Sequence, residues 1–122
     1  MSDVTSVLLL LSGQPLHRGL ADALGHRGFN VATASTGHHA QSLIERRAFD
    51  VVLGLAPDDE ALGLARRSGS PLVVLSERPA REVVLEGAHF AVQKPVGLSE
   101  LERVLNRAVA EARWPRQASY SS

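Results

Sequence analysis

Apolar residues along the chain gather into five short runs, at residues 7–11, 29–34, 51–55, 72–75 and 90–92, separated by stretches with apolar positions every three or four residues. Short runs alternating with helical periodicity predict strands joined by crossover helices, and hence a parallel sheet. The first, third and fourth runs are almost continuously apolar, as strands covered on both faces must be. Phe29, Val31 and Thr33 instead alternate along the second run, which predicts a strand nearer the sheet edge.

The intervening segments predict five helices. Leu16, Leu20 and Leu24 fall at i, i+4 and i+8, with Pro15 at the start and Gly28 at the end of the first. Ser35 or Thr36 is placed to cap a second helix whose inner face carries Ala40, Leu43 and Ile44. Arg46 and Arg47 fall in its last turn, where cations suit the helix dipole. Asp58 and Asp59 open a third, short helix carrying Leu62 and Ala65, and Gly69 lies just past its end. Pro79 opens a fourth through Leu85. Ser99, three residues before Glu102, reads as a capping box for the fifth, whose apolar face is Leu101, Val104, Leu105, Ala108 and Val109. That helix must end before Pro115.

The expected architecture is a three-layer, doubly wound (βα)5 α/β domain of flavodoxin-like type. Right-handed crossovers favour the sheet order 2-1-3-4-5 and a functional site at the carboxyl ends of the strands. The domain is expected over residues 1–113. Residues 114–122 are Ser-rich without apolar periodicity and read as a disordered tail or the start of a linker.

Composition narrows the function classes. The 122 residues are 44% hydrophobic and 21% charged, with a formal net charge of zero, so nothing in the charge balance is shaped for nucleic acid or an anionic membrane. The absence of cysteine excludes disulfides, thiolate metal sites and cysteine nucleophiles. The apolar run at residues 7–11 is far below the roughly 20 residues of a membrane span, so a cytoplasmic protein is expected. Twelve of the thirteen basic residues are arginine, which points to a GC-rich bacterial genome.

The segment GAHFAVQKPVGLSELERVLNRAV, residues 87–109, resembles the end of response-regulator receiver domains. In that family a Gly-Ala pair precedes the fifth strand, here Gly87-Ala88, and a Lys-Pro pair follows it, here Lys94-Pro95. A Leu-Ser-Glu-Leu helix start comes next. VLLLLSGQP, FDVVLGL and PLVVLSE match the family's first, third and fourth strands without gaps, so the resemblance covers residues 6–112.

The departures from the family bear on function. Where the family has two Mg²⁺-binding acids, this chain has Ser12 and Gly13; its phospho-accepting aspartate falls on Leu55, or on Gly54 if the register slips by one. Phosphoryl transfer to a receiver needs a carboxylate to attack, and a divalent ion held by carboxylates to offset the transferring charge. Ser76 and Lys94 match the positions whose hydroxyl and ammonium bind phosphoryl oxygens in the family. Ala91 matches the aromatic switch position, with Phe90 one residue earlier, so the usual coupling between hydroxyl and rotating aromatic is not expected. A lysine with a packed stem and a solvated head is the ordinary reading of Lys94, ahead of an anion-binding role.

Other candidate chemistry is weaker. Asp58, Asp59 and Glu60 as displaced phospho-acceptors compete with an ordinary acidic first helical turn. Asp50 lies at the far end of the third strand, about 16 Å from Leu55 at about 3.3 Å per residue. His38 and His39 are adjacent and diverge by about a hundred degrees on a helix, which does not suit one metal. His17 would belong to a cobalamin-type Asp-x-His-x-x-Gly pattern, but Pro15 and Leu20 stand at its Asp and Gly positions. Ser76 beside Glu77 has no histidine suggesting a hydrolase.

The sequence therefore points to a pseudo-receiver: a non-enzymatic module, requiring no metal or cofactor, that signals by binding another signalling protein or a downstream domain. A homodimer through the fourth helix, fifth strand and fifth helix is a further expectation, with Arg78, Arg81, Glu82, Glu86, Arg103 and Arg107 as the interaction face or simply a solvated one. The alternative is a small-ligand or anion site at the crest around Ser12, Ser76 and Lys94.

Overall fold

The computed structural model describes residues 4–11, 18–54, 59–77, 79–85, 88–93 and 97–113. Strands and helices alternate strictly: β1 (Ser6–Leu10), α1 (Arg18–His26), β2 (Asn30–Ala34), α2 (Gly37–Arg46), β3 (Val51–Gly54), α3 (Asp59–Ser68), β4 (Leu72–Ser76), α4 (Ala80–Leu85), β5 (Phe90–Gln93) and α5 (Leu98–Arg113). All strand pairs are parallel, in the expected order β2-β1-β3-β4-β5. The alternating segment around Val31 forms the edge strand β2, and the continuous apolar runs form β1, β3 and β4 inside it.

Alternation along β1 divides the interior into two cores. Val7, Leu9 and Leu11 join Val51, Leu53, Val73 and Leu75 on the face covered by Leu24 of α1 and by Leu101, Leu105, Ala108 and Val109 of α5. Leu8 and Leu10 join Val52, Leu72 and Val74 on the opposite face, beneath Ala40 of α2, Ala61, Leu64 and Ala65 of α3, and Val83 of α4. Alanines at three of those helix positions let the backbones approach the sheet closely.

Several described connections are held by capping and turn hydrogen bonds. Thr36, not Ser35, caps α2, its Oγ1 accepting the His39 N–H at 3.2 Å. Gly28 and Gly69 take positive φ, 96° and 74°, where the chain leaves α1 and α3, a backbone region costly for residues with a Cβ. Pro79 precedes α4, its carbonyl accepting the N–H groups of Glu82 and Val83. At the amino end of the sheet Asp50 accepts the Ser6 N–H at 2.8 Å, which gives this carboxylate a structural task far from the crest. Buried Ser70 donates its hydroxyl to the Phe49 carbonyl.

Two expectations are corrected. The third helix is not short: α3 runs ten residues, as many as α2, because Ala61, Leu64 and Ala65 give it a continuous inner stripe, while Leu62 is only partly buried. Ser99 and Glu102 do not cap α5. The Leu101 N–H donates to the Gly97 carbonyl at 3.1 Å, so the cap position falls on Gly97. Ser99 Oγ and Glu102 Oε1 instead receive Arg27 Nη1 from the end of α1, at 3.4 and 2.7 Å. Residues one turn apart share a helix face, so the spacing that suits a capping box also builds a two-acceptor seat for a guanidinium. The expected helix start at Pro15 and the expected tail at 114–122 lie outside the described residues.

The phase of α5 is testable. Leu105 is fully buried, and Leu105→Ala should destabilise the protein by about 2–5 kcal/mol in urea unfolding. Ser99→Ala should change stability by less than about 0.5 kcal/mol, the range of an ordinary surface substitution, where loss of a true cap residue costs about 0.5–2 kcal/mol.

Candidate functional site

In a doubly wound sheet the connections leaving two neighbouring central strands diverge to opposite sides, and the crevice between them opens at their carboxyl ends. Here that point lies between β1 and β3. The register sets Leu10 beside Gly54 and Gly54 beside Val74; β4 then continues to Ser76, level with Gln93 of β5. Leu11 extends the β1 edge by donating its N–H to the Ala34 carbonyl at 2.9 Å.

Of the five positions expected to form a degenerate phosphorylation site, Ser76 lies within the described residues, whereas Ser12, Gly13, Leu55 and Lys94 lie outside them. In the chain, Ser12 follows Leu11, Leu55 follows Gly54 and Lys94 follows Gln93, and Leu11, Gly54 and Gln93 are the last described residues before those positions. Ser76 is buried and hydrogen-bonded or otherwise engaged. Gln93 donates its side-chain N–H to the Glu77 carbonyl at 3.2 Å, tying the ends of β4 and β5 together. No local sequence pattern marks this contact; parallel registration of Ser76 with Gln93 creates it.

The strand parity separates the two aromatic-switch candidates. Ala91 packs against the core under α4, on the same side as Val74, and Ser76 follows Val74 two residues later on that side. Phe90 packs against the other core, with the Arg107 guanidinium 5.7 Å from its ring centroid. Phe90 therefore serves α5 and stands across the sheet from Ser76, while the position on the hydroxyl's side holds a methyl group.

On the α4–β5–α5 face, Arg81 and Glu82 are exposed on α4, and Arg103 and Arg107 on α5; Arg78 and Glu86 lie outside the described residues. Arg107 is committed to Glu111 at 3.0 Å, an i,i+4 pair visible in the spacing. Val84, 41% exposed, adds an apolar element to this face. Its neighbour Val83 takes the core position, and consecutive helical residues cannot both face inward. Elsewhere, His38 and His39 are both exposed, and no cluster of three His, Asp or Glu side chains able to hold a metal occurs among the described residues. His17, Asp58 and the side chains of Asp59 and Glu60 lie outside the described set. No described helix is long and apolar enough to cross a membrane.

No protein-family model matches the chain, and a search of curated proteins finds no match. Solved structures do match. A response-regulator receiver domain protein from Clostridium thermocellum superposes with a TM-score of 0.75 at 19% identity, over 90% of this chain and 98% of the other. The signal receiver domain of an HD domain-containing protein from Pseudomonas fluorescens gives 0.77 at 16% identity, over 96% and 95%. A response regulator from Thermotoga maritima gives 0.72 at 20% identity, over 88% and 98%. The chain thus has the flavodoxin-like fold of response-regulator receiver domains.

Proposed function

We propose that the chain is a phosphorylation-independent signalling module, a receiver-like domain without enzymatic activity that acts by binding another signalling protein, a downstream domain or a second copy of itself. One observation carries this reading: β1 and β3 end side by side, and the residues that follow them are Ser12-Gly13 and Leu55-Ala56-Pro57, which contain no carboxylate. A phosphoryl group arriving there meets neither a carboxylate to attack it nor carboxylates to anchor Mg²⁺, whose charge is what normally makes the transfer feasible. The nearest acids in sequence are Asp58 and Asp59; Asp59 opens α3, where the positive end of the helix dipole accounts for an acid.

Binding, in this reading, uses the α4–β5–α5 face. Val84 supplies an apolar centre and Arg81, Glu82, Arg103 and Arg107 a mixed-sign surround, the composition of a small protein interface whose charges set orientation more than affinity. The conformational switch of a receiver has no counterpart in this proposal. With a methyl group on the hydroxyl's side of the sheet, the extent of binding is set by partner concentration and location.

Acetyl phosphate or beryllofluoride with Mg²⁺ should leave the protein unchanged in mass spectra and in amide chemical shifts, and a partner captured on the tagged chain should stay bound to the same extent. A mass gain of one phosphoryl group, or Mg²⁺-dependent shifts around residues 12, 55 and 94, would overturn the proposal. Ordered binding of a metabolite at Ser76 and Lys94 would favour a ligand-binding crest instead.

The triple variant Ser12→Asp, Gly13→Asp, Leu55→Asp tests the placement of the ancestral site. It should acquire Mg²⁺ binding, seen as metal-dependent chemical shifts that the parent lacks. A folded triple variant with no Mg²⁺ response would show that the positions are misaligned.

A further inference from the structure

At the amino ends of the strands, opposite the crest, α2 and α3 pack together and finish beside a cavity of about 400 Å³. Arg46, Arg47 and Arg67 line it with Phe49, and Glu45 is its one lining carboxylate. We propose that this cavity is a binding site for a phosphate group of about two negative charges, carried by a small metabolite or by a phosphorylated side chain of a partner.

Cations in the last turn of a helix have an ordinary explanation, since each helix end presents about half a negative charge. That accounts for Arg46 and Arg67, which close α2 and α3. It does not account for Arg47, which lies past the helix in extended backbone, nor for three arginines lining one cavity. One carboxylate and two helix ends of about half a charge each still leave the site positive, in a chain whose formal net charge is zero. One carbonyl in the last turn of each helix is also already occupied. Leu43 O accepts from the Arg47 N–H, and Ala65 O accepts from the Gly69 N–H and the Ser68 hydroxyl.

Two of the guanidinium groups, those of Arg47 and Arg67, are held in place without being neutralised. Arg47 stacks 4.9 Å from the centroid of buried Phe49, whose carbonyl is fixed in turn by Ser70. Arg67 donates Nη1 to Gln41 Oε1 at 2.7 Å, and Gln41 passes its own N–H to Glu45 at 3.4 Å. The neutral amide thus stands between carboxylate and guanidinium. That one contact leaves Arg67 most of its five N–H donors. No ion pair engages Arg46, Arg47 or Arg67 among the described residues. Planar forks of this kind match phosphate oxygens, and about 400 Å³ is the scale of a small-ligand pocket.

The test is titration of the full chain with inorganic pyrophosphate, at low salt and without divalent ions, followed by amide chemical shifts and calorimetry. Saturable shifts should be confined to residues 44–49 and 67–68. Arg47→Gln and Arg67→Gln should each weaken binding at least about tenfold, with the melting temperature unchanged, and added salt should weaken it further. A phosphoserine peptide that competes with pyrophosphate would identify a phosphorylated protein as the source, and a peptide that fails to compete while pyrophosphate binds would identify a free metabolite. Absence of saturable shifts, equal shifts at Arg103 and Arg107, or parental affinity in both variants would overturn the proposal.

Discussion

Everything in this molecule depends on burying β1 from both sides. Val7, Leu8, Leu9 and Leu10 are completely inaccessible, and burying four such side chains is worth roughly 6–12 kcal/mol, comparable to the whole net stability of a small domain. A strand buried on both faces must send alternate side chains into two separate cores, so helices are required on both faces. With α1 and α5 on one face and α2, α3 and α4 on the other, the sheet order follows, and polar chemistry is displaced to the strand ends.

On the proposed reading, that separation lets the receiver fold stand without acids in the segments that follow β1 and β3. The layers are held by aliphatic contacts, and none of the described residues that secure the core is a carboxylate. Acids at the ends of β1 and β3 would repel one another unless a cation stood between them, so leaving them out costs the fold nothing and removes the demand for a metal. On the proposed reading, what is lost with them is the second conformational state that phosphorylation would stabilise.

Several polar side chains link elements that are distant in the chain. Arg27 closes the end of α1 against the first turn of α5; Asp50 ties the start of β3 to the start of β1; Gln93 joins β5 to the end of β4. The Arg27–Glu102 pair is partly exposed and contributes little stability, about 0.2–1 kcal/mol. Such contacts orient one helix against another more than they strengthen the core.

Much was legible in residues alone. Five apolar runs and the periodicity of the segments between them predicted the strands, the helices, the edge position of β2 and the inner face of α5, because burial acts on every second or every third to fourth residue and leaves a local imprint. The absence of a carboxylate from Ser12-Gly13 and Leu55-Ala56-Pro57 is a matter of residue identity, and reading those positions as an emptied receiver site belongs to the proposal. What only the tertiary structure decided concerns pairs of elements. Ser99 and Glu102 have the spacing of a capping box, and only the approach of α1 turns them into a seat for Arg27. Phe90 and Ala91 are adjacent in the chain, and only the phase of β5 places them on opposite faces of the sheet. Arg46, Arg47 and Arg67 look like separate helix-end cations until α2 and α3 finish beside the same cavity. Local periodicity records which side of an element is buried, but the partner on that side is set by the order in which strands pair, and no single segment carries that order.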